Sequence, residues 1–342
     1  MTFPKFSLPA PARSLIVRAY LRRLAMDDRP IVLGPWRSEL GFEQLYWLPF
    51  LQWALKTYKI SPERCIALTR GGVGLLYPAK HAVDLFTLRT VDEVRLENAV
   101  DAEQRKMLKQ MTVTAWDRRV AAEAVEKQHG KGARFHLLHP SWMYWLFDPT
   151  WNEHATLRHI VRHCDFSPLP VPDLPKGLEL PKGFVAVRFY ERHTFPLHQQ
   201  VATMAREIVQ GIAAKYPVVL LNQSLFADDH VDLPLAGQNI FLLPKVAPEQ
   251  NLLLQAAVLA RSQAFVGTYG GVAQWALMYR KPSLSFYTHF GGTLQAHRTL
   301  SNMLSAQMNC PFEVSDLRAI KLWKSALGPV TVQEPAPEPV AA

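Results

Sequence analysis

Long apolar runs are missing from this chain of 342 residues: none reaches the roughly 20 residues that a bilayer-crossing helix needs. The start, Met1-Thr-Phe-Pro-Lys5, lacks the apolar middle and small-residue cleavage site of a secretory leader. A cytoplasmic protein is therefore expected. Cysteine is scarce. Cys65, Cys164 and Cys310 are odd in number and far apart, which suits neither a disulfide framework nor a zinc ribbon. No RNP-like interleaving of aromatic and basic residues occurs, nor zinc-finger or basic-zipper spacing, so nucleic acid is not an expected partner. A dinucleotide fingerprint needs its glycines at the first strand-to-helix turn, whereas Gly71, Gly72 and Gly74 follow the second strand. Serine nucleophile elbow, HExxH and Walker patterns are also absent.

What is present is enough apolar material for large interiors, 49% of the chain with 9 Trp and 17 Phe. At this length two domains are the natural expectation. The formal charge of +9 calls for an anionic partner, such as sugar-nucleotide phosphates or a membrane surface. Between Pro11 and Asp27 the apolar residues Ile16, Val17, Tyr20, Leu21 and Leu24 are expected on one helical face, with Arg18, Arg22 and Arg23 elsewhere. Such a basic amphipathic helix either lies on an anionic membrane or packs on its own domain.

Strands and helices alternate. In the first part, strands are expected over Pro30–Gly34, Arg64–Leu68, Val83–Leu88 and Arg134–Leu138, with a helix from Phe42 to Tyr58. Residues 166–183 carry five prolines, which forbid both helix and central strand and mark a linker. After it the pattern repeats, with strands at Gly183–Phe189, Pro217–Leu221 and Asn239–Leu243, and helices over Leu197–Lys215 and Asn251–Arg261. The expected division is 1–165 for an acceptor-side domain, 166–183 for the linker, 184–329 for a donor-nucleotide domain and 330–342 for a disordered Pro, Ala and Glu tail. The fold class is α/β: two Rossmann-like, doubly wound domains facing a central cleft.

One stretch concentrates the chemistry. Ala264–Val266 reads as a buried strand, followed by a turn containing Gly267, Gly270 and Gly271, a helix of about ten residues, Pro282 and a second strand. Glycines at such a turn let backbone approach an anion and aim first-turn amides at it. The same glycines would also serve an ordinary strand-to-helix turn.

Together these features resemble the GT-B superfamily of glycosyltransferases, in particular its heptosyltransferase-like branch. Phe265–Pro282 is similar to that branch's donor-diphosphate segment, with Gln274 where the branch usually has histidine, and Val314–Leu327 resembles a terminal helical segment. In that branch an acidic catalytic residue follows a glycine and precedes a helix-initial proline by six places. Gly41, Glu43 and Pro49 keep the acid-to-proline interval, with Phe42 inserted after the glycine. The resemblance implies transfer of a sugar from a sugar-nucleotide donor to a glycan, lipid-linked or other acceptor in cell-surface polysaccharide biosynthesis, without a cofactor.

Glycosyl transfer leaves negative charge on the departing phosphate and requires a base for the acceptor hydroxyl. Arg188, at the end of an apolar strand, is the expected diphosphate partner, with Thr268, Tyr269, Gly270, Gly271 and Gln274 completing the donor site. Glu43, or failing it Glu39, is the candidate base, with His139 in reserve; Trp36, Arg37 and His139 are candidate acceptor contacts. No Asp-x-Asp motif is present, and Asp228-Asp229 lacks that spacing, so a metal-independent reaction is expected. A sugar-nucleotide epimerase of the same architecture, drawing on residues such as Asp84, Asp117 and His139, and a non-catalytic glycan-assembly protein remain alternatives.

Overall fold

The computed structural model describes residues 8–103, 110–152, 155–192, 194–221, 231–289 and 295–319. The tail 330–342, His193 and Asp228-Asp229 lie outside the described residues. Helix α1 (Ala10–Ala25) precedes β1 (Ile31–Leu33), α2 (Leu40–Phe42), a π-turn (Glu43–Trp47), α3 (Leu48–Tyr58), β2 (Cys65–Thr69) and β3 (His81–Asp84). Then come α4 (Val91–Glu103), α5 (Ala115–His129), β4 (His136–Leu138), α6 (Ser141–Trp151) and α7 (Leu157–Val161). These strands form one parallel sheet of order β3-β2-β1-β4.

The second half runs β5 (Val185–Arg188), α8 (Gln199–Ala213), β6 (Val218–Leu220), β7 (Ile240–Leu242), α9 (Pro248–Leu259) and β8 (Ala264–Thr268). It ends with α10 (Gly271–Met278), β9 (Ser283–Tyr287), α11 (Gln295–Met308) and β10 (Phe312–Asp316). All six strands are parallel in the order β10-β9-β8-β5-β6-β7. The strand order reverses between β5 and β8, and a doubly wound sheet opens its ligand crevice at the carboxyl ends of such a pair. The two tandem α/β sheets expected from the sequence are thus present.

Alternation along the strands explains why both faces of each sheet are covered. Ile31 and Leu33 face one apolar cluster, while Val32 faces another with Val120, Ala121 and Ala124 of α5. In β5, Val185 and Val187 pack with Val201, Ala205 and Val209 of α8. Ala186 turns instead toward the cluster that also holds Trp36, Leu51, Phe265 and Trp275. That cluster draws on both halves, so their interface is packed core along part of its length.

Three local expectations are corrected. Val314 lies in β10 rather than in a helix, because residues 312–316 extend the parallel sheet beside β9; 320–327 lie outside the described residues. The third strand ends at Asp84, whose carboxylate accepts the Phe86 N–H and starts a 3-10 turn over Leu85–Thr87. Ile16 is exposed, since α1 buries Val17, Leu21 and Leu24 against α3 and α6 and turns Ile16 outward.

Candidate functional site

The site begins with an irregular helix. Pro49 lacks an N–H and cannot continue the ordinary ladder; the helix widens before it, and the Leu48 N–H bonds the Glu43 carbonyl five residues back. Such π-turns are rare and recur at functional sites. This one leaves the Glu43 side chain fully buried over the end of β2. Its Oε1 accepts the Tyr77 hydroxyl at 2.5 Å and the Thr69 hydroxyl at 3.2 Å, and Arg70 Nη1 lies 3.6 Å from Oε2. Burial, and then the Glu43 charge, push the Tyr77 hydroxyl well above its ordinary value, so Tyr77 stays a donor to the carboxylate. Glu39 is exposed at the start of α2, four residues before Glu43.

Trp36, Arg37 and His139 are not at an open surface. Trp36 is stacked between Trp47 and Tyr144, with ring centroids 5.9 and 6.3 Å away. The Arg37 guanidinium is enclosed by Asn98 at 2.7 Å, Asp101 at 2.7 Å and Asp117 at 3.3 Å. The Ser141 N–H donates to His139 Nδ1, which assigns the ring proton to Nε2, 3.3 Å from Asp117. Burial alone would raise the Asp117 carboxyl, but His139 and Arg37 outweigh it and hold the group well below the usual carboxylate range. These side chains fill the crevice between β1 and β4 with their own contacts.

In the second half, Arg188 is buried, bonds Asp232 through Nε at 2.9 Å and lies over the Tyr190 ring. The Thr268 hydroxyl receives the Tyr190 N–H at 3.0 Å and so pins the loop that follows β5. That loop carries Arg192 to the glycine turn. Arg192 Nη1 is 3.4 Å from the Tyr269 carbonyl, and a Cβ on Gly270 would come within 2.9 Å of it. Burial pushes the Tyr269 hydroxyl up to about 12, against the pull of Gln274, Arg192 and Arg298. His297 of α11 sits edge-on to Phe42 at 4.7 Å and near Tyr46 at 5.1 Å. Burial, with Arg192 beside it, lowers His297 to about 3 and keeps the ring neutral.

The two halves meet at this turn. The first residues of α10 pack on α2, with Gln274 Oε1 and the Gly271 backbone against Gly41. A second contact joins the Gly71 carbonyl to the Leu253 N–H of α9 at 2.8 Å. Around the first contact, Gln44 Oε1 and Nε2, Arg192 Nε and His297 Nε2 are buried and lack a hydrogen-bond partner among the described residues. Sequence reasoning missed His297 and Arg298, which lie on a helix with no motif, and left Arg192 as a loop neighbour of Arg188. The order of the sheet is the signal that would have favoured Arg192, because the residues after β5 and β8 flank the strand-order reversal.

No family profile and no curated protein matches the chain. Among solved structures it is similar to a glycosyl transferase family 9 protein from Veillonella parvula, at 11% identity and TM-score 0.42, covering 90% of this chain and 91% of that one. It is similar to the heptosyltransferase WaaC of E. coli with ADP-2-deoxy-2-fluoro heptose, at 14% identity and TM-score 0.41, covering 88% and 100%. A third, from Listeria monocytogenes and named as a candidate UDP-N-acetylglucosamine 2-epimerase, shares 12% identity at TM-score 0.33, covering 90% and 98%.

Proposed function

We propose that this chain is a glycosyltransferase that takes a sugar from a nucleoside-diphosphate donor and delivers it to an acceptor hydroxyl. One observation carries the reading: the glycine turn at the β5/β8 crevice, flanked by Arg192 and Arg298, abuts the helix turn that bears Glu43. First-turn amides of α10, Arg192 and Arg298 are the groups for the diphosphate. Gln44, Gln274 and His297 offer neutral polar atoms for sugar hydroxyls. Arg188 acts by holding the loop through Asp232 and Tyr190 rather than by touching phosphate.

In the transfer, the acceptor oxygen bonds the anomeric carbon as the bond from that carbon to phosphate oxygen breaks. The electron pair leaves on the diphosphate, and the acceptor proton passes to Glu43. Trp36, Arg37 and His139 support the Glu43 wall from behind. Polysaccharide biosynthesis is the setting we propose for the acceptor, a glycan or lipid-linked sugar.

Incubation with a panel of sugar nucleotides tests the proposal. Transfer to an added acceptor, or slow release of nucleoside diphosphate, is expected and should survive chelation of divalent metals. Interconversion of the free donor sugars would instead identify an epimerase, and binding without turnover a non-catalytic protein.

A further inference from the structure

Helix α1 has two apolar faces, and its fold accounts for only one. Val17, Leu21 and Leu24 are fully buried, and Arg13 joins them, its charge met by Asp148 at 2.8 Å and the Trp145 carbonyl at 2.9 Å. At 100° per residue the opposite arc presents Arg22, Leu15, Ala19, Ala12, Arg23 and Ile16 in angular order, with Met26 following at the C-cap. Leu15 is 69%, Ile16 41% and Met26 89% exposed. An ordinary solvent-facing arc would hold charged and polar residues in those places.

Charge tells what covers it. Helix α1 contains no acidic residue, and Arg22 and Arg23 are exposed on the same arc as the apolar side chains. On α5, Arg118 is exposed, and Arg23 and Arg118 both oppose the rise that burial imposes on the Tyr20 hydroxyl. A pocket of about 480 Å³ opens there beside the stacked Tyr20 and Trp142 rings, with Arg118 and Phe135 among its walls. Of the nearby acids, Asp27 is tied to Arg29 and to His136 at 3.1 Å, which leaves Asp28 as an exposed carboxylate past the helix end. A protein partner would ask for shape and hydrogen-bond complementarity; three isolated apolar side chains flanked by arginines suit an interface that is fluid, apolar below and anionic at its surface.

We infer that the outer arc of α1, centred on Leu15, Ile16, Ala19, Arg22, Arg23 and Met26, docks the protein on an anionic lipid bilayer, with the helix lying parallel to the surface. The inference stands apart from the transferase reading, since it needs no nucleotide and no turnover.

Co-sedimentation of the full chain with phosphatidylcholine vesicles, with and without phosphatidylglycerol, tests it. Binding is expected only to the anionic vesicles and should weaken as salt is raised. Arg22→Gln with Arg23→Gln should weaken it by about thirtyfold, on the order of fivefold for each arginine near an anionic surface. Leu15→Glu with Met26→Glu should weaken it by about tenfold or more, because it removes the inserted apolar atoms. All four positions are exposed, so thermal melts of the variants should match the parent. Failure of the parent to bind anionic vesicles, equal binding to neutral ones, or unchanged binding by both double variants would overturn the inference. So would a self-associated species in sedimentation velocity that Leu15→Glu with Met26→Glu abolishes while vesicle binding persists, since the arc would then be an interface between copies.

Discussion

Gly41 and Gly271 meet backbone to backbone across the two halves of the molecule: a Cβ placed on Gly271 would lie 2.6 Å from the Gly41 nitrogen and 2.8 Å from the Leu40 Cβ. The glycine that the sequence offers as a phosphate cradle is thus also required by packing, and any side chain there must push α2 and α10 apart.

Gly271→Val should therefore act on the whole molecule rather than on donor binding alone. Overpacking at a backbone contact costs about 1 to 3 kcal/mol, expected as a lowered melting temperature shared by probes in both halves. An unchanged melt with donor binding lost would show that the contact is loose and that the glycine serves the ligand only.

Arg192 and Arg188 should separate by what their removal damages. Arg192→Ala is expected to weaken nucleoside-diphosphate binding by roughly 1.5 to 3 kcal/mol through loss of a charge-assisted contact, measured by calorimetry, with little change in melting temperature. Arg188→Ala takes the ion-pair partner from Asp232, so about 1 to 3 kcal/mol of stability should be lost. Normal nucleotide affinity in Arg192→Ala would remove that residue from the donor site.

Glu43→Gln preserves size but cannot take a proton, and turnover should fall by about 10² to 10⁴ with donor affinity little changed. Tyr77→Phe, which removes a hydrogen bond to the same carboxylate, should give a smaller loss. Because Arg70 faces Glu43, melting temperature must be measured beside turnover. Near-normal turnover per folded molecule in Glu43→Gln would move the base to Glu39.

His163 is expected to make the fold sensitive to acid. Its Nδ1–H donates to the His159 carbonyl and its Nε2 faces the Ser14 hydroxyl, each at 2.8 Å. Burial first, then neighbouring cationic groups, lower it from an ordinary 6.5 to about 4. The folded value is depressed for a base, so unfolding takes up a proton between those values. The stabilising effect is complete above about pH 6.5 and is lost as pH falls toward 4, amounting to about 2 to 3 kcal/mol. His297, lowered to about 3, acts in the same direction. Urea titrations at pH 7 and pH 4.5 should differ accordingly, and His163→Gln should flatten the difference; an unchanged slope would assign the acid limb elsewhere.

The alternation of apolar strands with helices, the proline run at 166–183 and the turn after Val266 were legible because local periodicity and glycine or proline chemistry act over a few residues. Pro49 marks the break in its helix, and Glu43 lies beside it for the same local reason. The sequence therefore determined the α/β class, the two sheets in tandem and the small set of residues at strand ends. Which of those residues share a space was decided by tertiary structure. Arg37 and Arg188 look alike in sequence as cations after apolar strands, yet each is neutralised by an acid distant in the chain, Asp117 and Asp232. Arg192 reaches the glycine turn only because β5 and β8 are neighbours in the sheet. Ile16 faces outward because the inward arc of α1 is set by the surfaces of α3 and α6, not by the hydrophobicity of α1 alone. Periodicity along a chain fixes what an element can bury, and the partners that bury it come from pairings across long sequence separations, which no local pattern encodes.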